Sequence, residues 1–130
     1  MFRNIRVDPV DAMKFGIQWQ DSKFLDLSVA FGWTHGSAAF QRLSDAIVYI
    51  MRRHGCRLFA YSNDYVSVTP ADDAERQFNM LSDLLNRLGL PMNRDKKTPP
   101  NKVLTCLGID ININDGTLSI EQQKLESIIQ

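Results

Sequence analysis

The sequence predicts an α+β fold, in which an antiparallel sheet of hairpins carries two main helices packed on one face. Three observations predict it: short runs in which apolar and polar residues alternate, turn-forming residues between those runs, and two longer segments with apolar residues at helical spacing. The order along the chain is hairpin, helix, hairpin, helix, hairpin. Helices that follow antiparallel hairpins are expected to pack together on one face of a single sheet. The length of 130 residues suits one domain over residues 1–130.

The first hairpin and the first helix lie in the first half of the chain. Alternating apolar residues on both sides of a polar turn at 20–23 predict a hairpin over residues 15–29. A helix follows, for which Ser37 is the predicted N-cap and Gly55 the stop. Its apolar face is predicted to consist of Phe40, Leu43, Ile47, Ile50 and Met51.

The second hairpin and the second helix come next. Two β-rich runs, Arg57 to Tyr61 and Tyr65 to Thr69, are separated by Ser62-Asn63-Asp64, and the Asn-Asp pair is typical of a tight turn. Pro70 suits the first turn of a helix, and Gly89 ends that helix. Its apolar face is predicted to consist of Phe78, Leu81, Leu84, Leu85 and Leu88.

The last third of the chain predicts a hairpin and the start of a helix. A basic, proline-bearing loop at 93–102 leads into one strand over 103–113. A turn at 114–116 contains Asn, Asp and Gly, and the returning strand covers 117–120. A helix is predicted over 121–130.

The composition limits the possible partners. Lys and Arg number 15, as do Asp and Glu, so the formal net charge is zero. This balance argues against strong binding of nucleic acid by the whole surface, although a local basic face remains open. No stretch is long and apolar enough to span a membrane, which predicts an intracellular protein of the cytoplasm or nucleus. Cys56 and Cys106 lie in apolar stretches and are predicted to be unpaired, buried thiols, with a disulfide as the alternative.

A set of short motifs occurs in a fixed order along nearly the whole chain. They are Phe2–Val7, Phe31–Leu43, Tyr61–Asp64, Asp95–Thr98, Leu107–Asp110 and Leu118–Leu125. As an ordered set they resemble the palm subdomain of retrotransposon-type reverse transcriptases, which are RNA-directed DNA polymerases, followed by the entry to the thumb. The resemblance implies a palm that lacks most of the fingers and the thumb.

The catalytic motif departs from the family at a decisive position. Tyr61-Ser62-Asn63-Asp64 stands where the family has Tyr-x-Asp-Asp, so Asn63 replaces the first Asp and Asp64 is the residual carboxylate. The Asp of the first motif would lie five residues before Phe2 and is expected to be missing. Polymerases of this family use two magnesium ions held by carboxylates. The resemblance therefore implies a catalytically degenerate site, with magnesium as the metal of any activity that is retained.

The resemblance also implies contacts with nucleotide or nucleic acid. The residues concerned are Phe2, Phe31, Gly32, Tyr61, Lys96 and Lys97. Phe2 would stand at the sugar-discriminating aromatic position, and the two lysines near incoming phosphates. The alternatives are a hydrophobic anchor at the chain terminus for Phe2, a solvated loop for the lysines and an ordinary turn for Asp64.

Three functions follow from these observations. The preferred one is a degenerate palm fragment that interacts with itself, with another protein or with nucleic acid. The alternatives are a fragment of an active RNA-directed DNA polymerase and a repurposed metal-dependent nuclease that uses Asp64. In the family, the strand of the first motif lies beside the Tyr-x-Asp-Asp hairpin, so its loss would expose that hairpin's backbone and favour a homodimer through the sheet edge.

Overall fold

The structure is a computed structural model and describes residues 2–90, 92–93 and 96–129. The strands are β1 (Gly16–Trp19), β2 (Ser22–Leu25), β3 (Leu58–Tyr61), β4 (Asp64–Ser67), β5 (Val103–Cys106), β6 (Ile109–Asn112) and β7 (Thr117–Ile120). The helices are α1 (Pro9–Ala12), α2 (Gly36–Arg53), α3 (Ala71–Arg87) and α4 (Gln122–Ile129), with a 3-10 turn at Phe2–Asn4. The predicted α+β class, with antiparallel strands and two main helices, is confirmed.

Hydrogen bonding divides the described strands into three sheets. They are β1-β2, β3-β4 and β5-β6-β7, and all pairings are antiparallel. One continuous sheet was expected. The structure differs, because no described strand of one hairpin is hydrogen-bonded to a strand of another. The outer strands of each hairpin therefore keep edges that pair with no other described strand.

The helix α2 begins one residue before its predicted cap. Its N-cap is His35, which makes no side-chain capping bond, and Gly36 is already helical. A Cβ at Gly36 would lie 3.1 Å from Val29 Cγ1, so a larger residue at this start would require the Val29 side chain to shift by a few tenths of an ångström. Ser37 is therefore inside the helix rather than at its cap.

The main hydrophobic core lies between α2, β3 and α3. Its buried members are Ile47, Val48, Met51, Cys56, Leu58, Leu81, Leu85 and Leu90. Among the described residues, β1, β2 and β5 to β7 contribute no member to this cluster. The middle of the chain therefore holds most of the buried apolar surface that stabilises the fold.

The buried stripes of the two main helices differ in part from the predicted ones. Ile50 is 36% exposed and Leu88 is 47% exposed, although both were expected to face the core. Ser44 and Gln77 are buried instead. The stripe of α2 is rotated towards Ser44 because that side of the helix faces the β3–β4 hairpin, and Leu88 is the C-cap of α3, beyond its last turn.

The predicted strand over 103–113 is wrong, because the chain reverses in its middle. Leu107 and Gly108 have φ values of 52° and 77° and form a two-residue turn between β5 and β6. Two successive left-handed residues are the backbone of the turn that suits a tight hairpin. The third hairpin is therefore a three-stranded meander with order β5-β6-β7.

The N-terminal segment is tied to the end of the first hairpin. The backbone N–H of Val29 donates to Ile5 at 2.9 Å, and that of Val7 donates to Leu27 at 3.0 Å. The Arg3 guanidinium makes two hydrogen bonds to the Asp26 carboxylate, of 2.8 and 3.1 Å. These bonds, with that from the Ser28 N–H, hold the pKa of Asp26 below its ordinary value.

Both thiols are free. Cys56 is buried in the core and Cys106 is half-buried. The prediction of two unpaired thiols is thus confirmed, although only Cys56 is fully buried. Burial raises the pKa of the Cys56 thiol.

Candidate functional site

The β3–β4 hairpin carries the residues that resemble the catalytic motif. Tyr61 pairs with Asp64 across a two-residue turn made of Ser62 and Asn63, and Ser62 has a φ of 53°. The predicted turn of three residues is therefore too long by one, because Asp64 is the first residue of β4. Asn63 and Asp64 are both exposed, at the tip of the hairpin.

Two polar side chains of α2 hold this turn in place. The Gln41 amide oxygen accepts a hydrogen bond of 2.7 Å from the Ser62 N–H, and the Gln41 amide nitrogen donates to the Ala60 carbonyl at 3.4 Å. The buried Ser44 hydroxyl donates to the Ser62 carbonyl. The main-chain groups of the left-handed residue are thus satisfied by a helix rather than by water.

Ser44 also joins the hairpin through a second side chain. Its hydroxyl lies 3.0 Å from the Tyr65 hydroxyl. Partial burial raises the pKa of Tyr65, and the Ser44 hydroxyl acts in the opposite direction, because it can turn from the Ser62 carbonyl to donate to the phenolate once Tyr65 loses its proton. The start of β4 is therefore fixed on α2 by a small polar network that sequence reasoning did not find. The signal was present, since Gln41 and Ser44 lie three residues apart along one side of an amphipathic helix.

A groove of about 480 Å³ lies beside β4. On one side it is lined by residues 63–69, at its floor by Phe78 and Leu81 of α3, and on the other side by residues of the 96–107 segment. Of the predicted site residues, Asn63, Asp64 and Lys96 line this groove together. We call it the β4–β5 groove.

Magnesium ligands are scarce in the β4–β5 groove. Asp64 is the only carboxylate among the described residues that line it. Within the described chain, no three His, Cys, Asp or Glu side chains are grouped so that they could hold a metal ion. Since a pair of magnesium ions in a polymerase site needs several anionic oxygens, the described residues do not fit that cofactor.

The other described site residues, Phe31, Gly32, Tyr61 and Lys97, are not among the lining residues of the groove, although Lys97 packs beside its floor. Phe31 is 75% exposed. The Lys97 ammonium lies 4.7 Å from the centre of the Phe78 ring, so this lysine packs against α3 at the floor of the groove. The Phe2 side chain lies outside the part of the chain that is described, as do Arg94 and Asp95 of the basic loop.

No protein-family model matches the chain, and no curated protein matches it. The described residues define the class only as an α+β protein with three antiparallel sheets, a core between two helices and a groove between two of the sheets. In the described part of the chain, no helix has both the length and the apolar character that a membrane crossing requires.

Proposed function

We propose that this chain is a reverse-transcriptase-like palm fragment that does not polymerise nucleotides and acts as an interaction module. The observation that carries the proposal is the position of Asp64. It stands at the tip of the β3–β4 hairpin beside the neutral Asn63, and it is the only carboxylate among the described residues of the groove. One carboxylate provides too little negative charge to hold two divalent cations close together.

The palm resemblance is supported by the order of its motifs and by the geometry of the hairpin. The Tyr61-to-Asp64 stretch forms a tight hairpin, and α2, which contains the end of the second motif, packs against it through Gln41 and Ser44. These contacts join two of the proposed motifs in space. They fit a fixed hairpin tip, which a palm needs whether or not its metal ligands are present.

Primer extension tests the loss of polymerase activity. The full chain is incubated with an RNA template, an annealed DNA primer, deoxynucleotides and magnesium, beside an active polymerase as positive control. We expect no extension by the wild type or by Asn63→Asp, because one restored carboxylate still leaves the site short of ligands. Extension by the wild type that disappears in Asp64→Ala would overturn the proposal. Loss of labelled template in the same reactions, again dependent on Asp64, would favour a nuclease instead.

Protein partners are favoured over nucleic acid by the charge of the chain. The net charge is zero, and Lys97 packs on Phe78 rather than extending freely. A gel shift with single-stranded and double-stranded nucleic acid at two salt concentrations is the test. Salt-sensitive binding that is lost in the double variant Lys96→Ala and Lys97→Ala would show that the basic segment binds nucleic acid.

Self-association through the open edge of the β3–β4 hairpin is part of the proposal. An unpaired strand edge offers hydrogen-bonding groups to another strand. Light scattering over a wide concentration range should show a mass that rises from monomer to dimer. If the chain is a monomer at every concentration, the proposed homodimer does not form.

A further inference from the structure

The two outer edges of the β3–β4 hairpin differ in how their backbone groups are satisfied. Because Tyr61 and Asp64 close a two-residue turn, the peptide groups of Leu58 and Ala60 point away from β4. The Leu58 carbonyl accepts a hydrogen bond of 3.2 Å from Arg52, and the Ala60 carbonyl accepts one from Gln41. Side chains of α2 thus satisfy the two outward carbonyls of the β3 edge.

The outward backbone groups of the β4 edge have no such partners among the described residues. By the same register, the peptide groups of Tyr65 and Ser67 point away from β3. Within the described chain, these groups have no hydrogen-bond partner. Exposed edges of this kind pair readily with a further strand.

The β5 strand has a second open edge. The turn at Leu107-Gly108 directs the outer peptide groups of Val103 and Thr105 away from β6. The Val103 N–H is satisfied by the Asn101 side chain at 3.3 Å. The outer peptide groups of Thr105 have no hydrogen-bond partner among the described residues.

Both open edges face the β4–β5 groove. The groove is lined by the consecutive residues 63–69 on the β4 side and 104–107 on the β5 side. Side chains alternate between the two faces of a strand, so lining by consecutive residues indicates that the edge, not a face, borders the groove. The floor between these edges is apolar and includes Phe78 and Leu81.

We infer that the β4–β5 groove accepts one extended segment of another polypeptide. The segment would hydrogen-bond to β4 on one side and to β5 on the other, and would join the separate sheets into one. This inference rests on the proposed function as an interaction module and names the partner of that module. The chemistry is strand addition, in which backbone groups supply affinity and alternate side chains supply selectivity.

The groove also defines the side chains of its partner. Residues that face Phe78 and Leu81 are apolar, and a carboxylate is favoured near Lys96 and Lys102, which outnumber Asp64 among the described lining residues. A second copy that dimerises through the β4 edge would compete for this groove but would fill it only in part. Every described strand already pairs along one of its edges, so a strand of a second copy could cover only one wall.

The test is binding of a synthetic strand to the full chain. The probe is a fluorescent, end-blocked peptide of alternating valine and threonine with one central aspartate, followed by fluorescence anisotropy. The matched variants are Ser67→Pro and Ser67→Ala. Both remove the hydroxyl, but only proline removes the outward N–H, which the hairpin itself does not use. We expect Ser67→Ala to bind like the wild type and Ser67→Pro to bind at least about tenfold more weakly.

A second pair of measurements guards against misfolding. A peptide with methylated alternate amides keeps the side chains but loses donors, and it should bind at least about tenfold more weakly to the wild type. On the opposite wall, Thr105→Pro should likewise bind the probe more weakly than Thr105→Ala does. Equal binding of both peptides, or no binding of the probe by a folded chain, would overturn the strand-acceptor inference. If the chain dimerises but does not bind the probe, the strand-acceptor inference is wrong and the proposed function stands. If the chain extends a primer, the proposed function itself is wrong.

Discussion

The Gln41 side chain of α2 accepts a 2.7 Å hydrogen bond from the backbone N–H of Ser62, the left-handed residue of the β3–β4 turn. A helix therefore fixes the conformation of a hairpin turn that is distant in sequence. This bond explains why the exposed tip with Asn63 and Asp64 can hold one backbone arrangement although neither side chain is buried.

Replacement of Gln41 should destabilise the fold. Gln41→Ala leaves the half-buried N–H of Ser62 without its acceptor, so we expect the free energy of unfolding to fall by about 1–3 kcal/mol. Urea unfolding followed by circular dichroism is the measurement. Arg42 is an exposed neighbour on the same helix, so Arg42→Ala is the control. It should change the free energy of unfolding by less than about 0.5 kcal/mol. Equal effects of the two variants would show that the turn does not depend on Gln41.

Removal of the Ser44 hydroxyl should raise the pKa of Tyr65 further. The Ser44 hydrogen bond opposes the effect of burial, so Ser44→Ala leaves burial without that counterweight. The ultraviolet absorbance of tyrosinate, with Tyr65→Phe to identify the signal, gives this pKa. Ser82→Ala is the control, because that buried hydroxyl donates to Phe78 within its own helix. An unchanged Tyr65 pKa in Ser44→Ala would contradict the contact.

Acid should weaken the attachment of the N-terminal segment through Asp26. Its folded-state pKa lies below the ordinary value of 3.8, so its contribution to stability is present above that value and is lost as the pH falls through the folded pKa. Asp26→Asn should therefore flatten the acid limb of the stability profile, measured by urea unfolding at a series of pH values. Asp21→Asn, in the exposed β1–β2 turn, is the control. If Asp26→Asn loses stability at low pH as steeply as the wild type, the Arg3–Asp26 ion pair does not contribute to the acid limb.

The turn between β5 and β6 should accept asparagine with a gain in stability. Leu107 is exposed and has a φ of 52°, a conformation that asparagine adopts more easily than leucine. We expect Leu107→Asn to raise the free energy of unfolding by about 0.5–1 kcal/mol. Leu118→Asn, at an exposed strand position, should bring no gain. A loss of stability in Leu107→Asn would mean that the leucine makes a contact that outweighs its backbone cost.

The two main helices could be predicted well because their signals are local. Apolar spacing and the stops at Gly55 and Gly89 indicate the helices, and each helix ends within two residues of its predicted glycine. The short helix α1 was missed, although Asp8 caps it through the Val10 N–H and Pro9 begins it. Four residues are too few to show a periodic pattern.

The site could be predicted only in part because its geometry depends on distant residues. The Tyr61–Asp64 hairpin was visible in the sequence, but the register that moves Asp64 into β4 was not. The turn at Leu107 was missed because leucine is not a turn-forming residue, and the groove beside β5 depends on that turn. Buried polar residues such as Ser44 were also missed, since a hydrophobic pattern does not report them.

The position of the buried cluster has a consequence for how the molecule opens. Its members lie between Ile47 and Leu90, so amide protons in α2, β3 and α3 should exchange with deuterated solvent only when the whole protein unfolds. The β1–β2 hairpin and the C-terminal meander should exchange much earlier, through partial opening. One wall of the β4–β5 groove is β4, which is paired with the slowly exchanging β3, and the other wall belongs to the rapidly exchanging meander, so the meander is the side that would yield when an incoming segment enters.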